Sequence, residues 1–145
     1  MADARKLAAA ALLRVEADGG YSNIVLNSAL NSSEISHADR ALASALFYGV
    51  LDRRITIDWL LSKHIKTPLK KVAPYTLTVL RCAVYQIAFM EKIPESAAVN
   101  EAVKLIKASG ERRNAAFVNA VRKGLDAVAP VENGVHALKD RSRFR

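Results

Sequence analysis

Apolar side chains recur at spacings of three and four residues through almost the whole chain. Leu77, Leu80, Val84 and Ile87 form one such series, and residues 117–128 contain another. This spacing is typical of one face of an α-helix, and no run shows the period of two that is typical of strands. Glycine and proline together account for only ten of the 145 residues, which also favours helix over turn. Because one amphipathic helix cannot bury its own apolar face, the pattern predicts a compact all-α domain of six or seven helices.

Residues that commonly begin or end helices divide this pattern. Gly19 predicts the end of a first helix, and Ser36 predicts a capped start. Thr67 followed by Pro68 predicts another start, with the proline at the first helical position. The periodicity stops at residue 130. We therefore expect a globular domain over residues 1–130 and a basic tail or the start of a linker over residues 131–145.

Basic residues exceed acidic ones and are unevenly distributed. The chain carries 22 Lys and Arg against 14 Asp and Glu, a formal charge of +8, and residues 61–130 hold twelve basic and five acidic residues. No acidic residue lies between Asp58 and Glu91. An acid-free basic stretch attracts polyanions such as RNA, DNA or an anionic membrane surface.

The sequence lacks the residue patterns of common catalytic and metal sites. No glycine-rich phosphate loop follows a predicted strand, and the three histidines are too far apart in sequence to suggest a metal site. Cys82 lies within a predicted helix, where a buried and unreactive thiol is expected. We therefore expect no cofactor and no catalytic residue. The apolar stretches are too short for a membrane span and no cleavage-like segment follows the first one, so we expect a cytoplasmic protein.

Five strings occur in an order that is similar to a known family. They are DR at residues 39–40, LFYGVL at 46–51, LRCAVYQ at 80–86, IPESAAVNEAV at 93–103 and FVNAVR at 117–122. Together they resemble the NusB-like family, and most closely the N-terminal NusB-like domain of bacterial rRNA cytosine methyltransferases, the RsmB or Sun group. The resemblance covers about residues 4–128. It implies an all-helical fold of about seven helices in two small sub-bundles.

The resemblance also implies RNA binding. In the methyltransferases this fold is an accessory RNA-binding domain that precedes the catalytic one. The S-adenosylmethionine site and the cysteine nucleophile of that catalytic domain are not in this sequence, so the chain alone is not expected to be an enzyme. NusB proper binds boxA RNA with a small-subunit ribosomal protein in transcription antitermination.

Two differences from NusB proper favour the rRNA methyltransferase group. The dense arginine cluster at the start of NusB is reduced here to Arg5 and Lys6, with Arg14 further on. A base, Lys123, also stands in the late motif where NusB often has an acid. A module that binds protein or dimerises without RNA affinity remains an alternative.

An RNA site in this chain would use basic side chains on phosphates and an exposed aromatic for base stacking. The candidate RNA-binding residues are Arg5, Lys6, Tyr21, Arg53, Arg54, Lys63, Lys66, Lys70, Lys71, Arg112, Arg113, Arg122 and Lys123. The expected partners are RNA, rRNA above all, and also a small-subunit ribosomal protein or a C-terminal methyltransferase domain, with the chain a monomer or a homodimer and no membrane involved.

Other motif residues are expected to serve the fold. Gly49 and Gly124 lie on apolar faces, where the absence of a side chain allows helices to approach closely. Tyr85 is expected in the core. Gln86 and Asn119 are expected to satisfy buried backbone groups between helices.

Overall fold

The computed structural model describes residues 3–19, 21–32, 34–109 and 115–131. Within these ranges the chain forms helices and the segments that join them, which confirms the all-α fold class. A 3₁₀ turn, Leu69–Lys71, precedes the fifth α-helix. The helices are α1 (Ala4–Asp18), α2 (Ser22–Asn31), α3 (His37–Asp52), α4 (Arg54–His64), α5 (Pro74–Phe89), α6 (Glu95–Ala108) and α7 (Ala115–Asp126).

Short-range hydrogen bonds fix the ends of the first and third helices. The Asp3 carboxylate accepts a hydrogen bond of 2.9 Å from the Arg5 amide at the start of α1. Gly19 ends that helix with a φ of 63°, a left-handed conformation that glycine adopts without a steric penalty. At α3 the Ser36 hydroxyl accepts a hydrogen bond of 3.1 Å from the Asp39 amide. The predicted end at Gly19 and the predicted start at Ser36 are both confirmed.

The segment after α4 differs from the prediction. Pro68 precedes only the short 3₁₀ turn, so the expectation of a helix starting there is wrong. Val72 and Ala73 then adopt extended backbone angles, with ψ values of 135° and 141°. A proline disfavours helical angles in the residue before it, and Pro74 therefore separates this segment from α5, which it begins.

Helix α5 lies at the centre of the fold. It contacts α1, α3, α4 and α6, and it buries residues around most of its circumference, as expected for a helix surrounded by others. α1 also packs against α2 and α3, while α7 packs against α6 and α4. The helices therefore form two groups that share α5.

Two glycines allow close helix contacts. A Cβ atom at Gly49 would overlap the ring of Tyr85, and one at Gly124 would come within 2.7 Å of the carbonyl oxygen of His64. Gly49 brings α3 against α5, and Gly124 brings α7 against the end of α4. Both predicted close approaches are confirmed.

Candidate nucleic-acid interface

The connection from α4 to α5 carries a group of lysines, which we call the lysine segment: Lys63, Lys66, Lys70 and Lys71. Ile65 and Val72 are buried in the core and hold the connection against the domain at two points. The four lysines between and beside these anchors are exposed. Hydrophobic burial of the two anchors therefore fixes a path along which the ammonium groups face solvent.

The first lysine of this segment is positioned by an aromatic ring. The Lys63 ammonium lies 4.5 Å from the centroid of the Trp59 ring, within range of a cation–π interaction. Both residues are in α4, four positions apart, which places them on the same helical face. The position of this charge is therefore partly fixed before any ligand arrives.

Helix α7 adds basic residues beside the lysine segment. Gly124 packs on the backbone of His64, so Lys123, which is exposed, lies next to the end of α4. The Arg122 guanidinium donates a hydrogen bond of 2.8 Å to the side-chain oxygen of Asn100 in α6. The fold thus brings together two groups of candidate residues that are about 55 positions apart in sequence.

A second basic region lies at the opposite end of α5. The Arg5 Nε group donates a hydrogen bond of 2.7 Å to the Gln86 side-chain oxygen, and the Gln86 amide group donates one of 2.9 Å to the Cys82 carbonyl. One turn further on, the Arg53 guanidinium lies 4.9 Å from the centroid of the Phe89 ring. A rise of about 1.5 Å per residue puts this end of α5 about 22 Å from the end beside the lysine segment.

Four charged side chains form a network between α1, α4 and α5. Arg81 is almost fully buried and forms salt bridges with Asp58 and Glu16. Arg54 also pairs with Glu16, and its Nε atom lies 3.9 Å from Asp58. Arg54 therefore has acidic partners, unlike the lysines of the lysine segment.

This network also changes how the acid-free stretch is interpreted. Arg81 is one of the five basic residues between Asp58 and Glu91, but its charge is compensated by Asp58 and Glu16. The same salt bridge compensates the negative charge of Asp58, the acidic residue that precedes the lysine segment in sequence. The positive potential of this stretch therefore comes from the lysine segment.

The remaining candidates are separate from these groups or lie outside the described residues. Lys6 is exposed on α1. Tyr21 is 79% exposed, which confirms the expected exposure. Its neighbours in sequence are the end of α1 and the acidic Asp18, and no basic group adjoins it there. Arg112 and Arg113 lie outside the described residues. The assignment of these residues to RNA stays a prediction.

Of the two polar motif residues that were expected to satisfy buried backbone groups between helices, only Gln86 is buried. Gln86 is buried as expected, but the carbonyl to which it donates belongs to Cys82 of the same helix, and its contact between helices is with the Arg5 side chain. Asn119 is exposed on α7, so the expectation that it satisfies a buried group is wrong. Both residues lie in strings with helical spacing of apolar residues. Whether each is buried depends on the helices that pack against α5 and α7, which the strings themselves do not show.

A cleft at the end of α5 was not among the sites expected from the sequence. The cleft has a volume of about 520 Å³ and is lined by Arg53, Tyr85, Phe89, Met90, Glu91, Lys92 and Val131. Tyr85 was expected in the core, and it does pack against the core but is only half-buried. The available signal was Lys92, which follows Tyr85 by seven residues and Phe89 by three, since basic and aromatic side chains together can bind a nucleotide.

The single cysteine is unsuited to nucleophilic chemistry. Burial raises the pKa of the Cys82 thiol to about 12, although the neighbouring charge of Arg81 acts in the opposite direction. The thiolate form that would be reactive is therefore disfavoured.

In the part of the chain that the structure describes, no three metal-binding side chains cluster. None of the described helices is long and apolar enough to cross a membrane.

Comparison with known proteins gives one family and two kinds of relative. The NusB family model matches residues 2–128. The probable ribosomal RNA small subunit methyltransferase B of Bacillus subtilis is 37% identical over 139 residues, which cover 92% of this chain and 31% of that protein. The corresponding protein of Synechocystis is 31% identical over 83% of this chain and 27% of its own length. The chain thus spans about a third or less of these relatives.

The second kind of relative is shorter. The transcription antitermination protein NusB of Shewanella baltica is 30% identical over 118 residues, which cover 81% of this chain and 88% of that protein. Identity is higher to the B. subtilis methyltransferase, whereas the covered share of the relative is larger for the antitermination protein.

Proposed function

Because this chain belongs to the NusB family, we propose that it is an RNA-binding domain and that it recognises rRNA for a cytosine methyltransferase. The observation that carries the proposal is the 37% identity to a probable small-subunit rRNA methyltransferase over 92% of the chain. In this proposal the chain binds RNA, and catalysis belongs to the part of such relatives that this chain does not span. The domain acts in the cytoplasm, where rRNA is made and modified in bacteria.

The lysine segment and α7 supply the first contact surface. Exposed ammonium groups neutralise phosphates and release counterions, so the affinity falls as salt is raised. Lysine provides point charges rather than a planar donor fork, so these contacts hold the RNA backbone without reading its sequence. Sequence selection then depends on bases that are unpaired and accessible to aromatic or arginine side chains.

The antitermination function is a second candidate because the chain covers 88% of a NusB protein. Under this alternative the chain binds boxA RNA together with a small-subunit ribosomal protein. The alternative is weakened by the basic Arg122-Lys123 pair on α7 and by the few arginines at the start of α1.

Fluorescence anisotropy distinguishes the two candidates. The chain is titrated into a labelled small-subunit rRNA helix–loop fragment and into a boxA-like single strand, with and without the ribosomal protein. Tighter binding to the rRNA fragment, unaffected by the ribosomal protein, supports the methyltransferase-domain proposal. Tighter binding to the single strand, strengthened by the ribosomal protein, supports antitermination and contradicts the first proposal.

A further inference from the structure

The cleft at the end of α5 combines planar and charged groups in a space of nucleotide size. Its walls come from the α3–α4 junction, the last turn of α5 and the turn after it. Its volume of about 520 Å³ falls in the range of about 300–1,000 Å³ that small-molecule sites occupy. Val131 closes one side, because its amide donates a hydrogen bond of 2.7 Å to the Ala88 carbonyl and attaches the chain after α7 to α5.

The aromatic wall of the cleft is held in place by the fold. The Tyr85 ring occupies the space left by the missing side chain of Gly49, and the rings of Tyr85 and Phe89 lie 5.6 Å apart at an angle of 30°. Because the neighbouring backbone already confines the ring, the ring loses little conformational entropy when a ligand binds. The wall is therefore organised before binding, which favours affinity.

Arg53 presents a planar cation to this cleft. It is the junction residue between α3 and α4, and its guanidinium lies over the Phe89 ring. Among the described residues it forms no salt bridge, whereas its neighbour Arg54 pairs with two carboxylates. Arg53 is half-buried and lines the cleft, so a planar group that enters the cleft can stack on its guanidinium. RNA bases stack on arginine planes in this way.

The turn after α5 supplies charges of both signs. Lys92 is exposed at the edge of the cleft, where it can contact a phosphate, while the Glu91 carboxylate can only accept hydrogen bonds when ionised. A carboxylate matches the exocyclic amino group of cytosine and repels the carbonyl oxygens of uracil. A binding site for phosphate alone is disfavoured by this acid.

We propose that this cleft binds one unpaired nucleotide of the RNA, with its base stacked on the Arg53 guanidinium and its amino edge bonded to Glu91. This inference rests on the proposed RNA-binding function and adds a base-selective site to it. The site favours cytosine over uracil. It lies about 22 Å from the lysine segment along α5, so the RNA extends across the domain between the two contacts.

The test uses labelled ten-nucleotide oligomers of cytidine and of uridine with the full chain and three variants. Arg53→Lys keeps the charge but removes the plane, and Glu91→Gln keeps an acceptor but adds a donor. Arg14→Lys is the matched control, because it makes the same exchange at an exposed arginine of α1 that does not line the cleft. Thermal unfolding of each variant establishes that it is folded.

The expected results are specific to each variant. Arg53→Lys weakens binding to the cytidine oligomer about tenfold, as expected for loss of one stacked base, and leaves the salt dependence unchanged. Arg14→Lys changes the affinity less than twofold. The unmodified chain prefers cytidine to uridine about fivefold, and Glu91→Gln brings this ratio close to one.

Different failures have different meanings. If the unmodified chain binds salt-dependently but Arg53→Lys and Arg14→Lys behave alike, or if cytidine and uridine bind equally, the cleft assignment is overturned and the RNA-binding proposal stands. If the unmodified chain binds neither these oligomers nor the rRNA fragment at low salt, the proposed function itself fails.

Discussion

Arg81 of α5 binds Asp58 of α4 through two hydrogen bonds, from Nε at 2.8 Å and from a terminal nitrogen at 3.0 Å. The same guanidinium reaches Glu16 of α1 at 3.3 Å. Its side chain is 7% exposed, against 28% for Asp58. One nearly buried arginine therefore joins three helices and occupies two carboxylates that would otherwise oppose binding of a polyanion.

Replacing this arginine is expected to destabilise the domain strongly. Arg81→Met leaves Asp58 and Glu16 without their buried partner, and breaking such a pair costs about 3–5 kcal/mol. Because both carboxylates are partly exposed, we expect a loss near the lower end, about 3 kcal/mol, measured by urea unfolding. The control is Lys104→Ala, which removes an exposed pair with Glu101 and should cost under about 0.5 kcal/mol. Equal losses for the two variants would contradict this role for Arg81.

The contact between Gly49 and Tyr85 predicts a strong effect of adding one methyl group. Gly49→Ala places a Cβ atom where the Tyr85 ring lies, and such overpacking costs about 1–3 kcal/mol. The same substitution in a Tyr85→Leu background should cost at least about 1 kcal/mol less, because the ring is gone. Urea unfolding of the four proteins gives the interaction energy. An identical cost in both backgrounds would show that the ring does not limit residue 49.

The buried thiol predicts a loss of stability at high pH. The pKa of Cys82 is raised from 9.0 to about 12, so the folded state keeps its proton at pH values where the unfolded state releases it. This contribution to stability is complete below pH 9 and is lost as the pH rises through 12. Between these values the unfolding free energy should fall by about 1.4 kcal/mol per pH unit from this group alone.

A comparison with Cys82→Ala isolates that contribution, because lysines and tyrosines titrate in the same range in both proteins. Urea unfolding in excess reductant at pH 8, 9.5 and 10.5 gives the difference in stability between the two. We expect the difference to be constant up to about pH 9 and then to shift against the cysteine protein. A difference that stays constant to pH 10.5 would mean that the thiol ionises as easily in the folded state.

The parts of the fold that depend on neighbouring residues were predictable from the sequence. The end of α1 at Gly19 and the start of α3 at Ser36 follow from hydrogen bonds within a few residues, and apolar spacing predicts the helices themselves. The helix predicted to start at Pro68 was wrong because the effect of a proline depends on the residues after it. Here an extended segment and Pro74 prevent a helix from continuing. Local patterns indicate a helix start without showing how far the helix extends.

The arrangement of the candidate site was less predictable because it depends on distant partners. Arg81 pairs with residues 23 and 65 positions away, so no local pattern indicates that its charge is compensated. The separation of Arg5 and Arg53 from the lysine segment likewise depends on which end of α5 each element packs against. The cleft requires residues from the α3–α4 junction, α5 and residue 131 together.

The central claim is that this domain binds RNA through the lysine segment, and a salt series of binding constants tests it most directly. The unmodified chain, Lys70→Ala/Lys71→Ala and the charge-matched control Lys104→Ala/Lys107→Ala, whose lysines are exposed on α6, are each titrated with the rRNA fragment. Loss of two phosphate contacts should reduce the slope of log affinity against log salt by about 1.4–1.8 in the first variant, and the control should keep the slope of the unmodified chain. Equal slopes for all three proteins would contradict this claim.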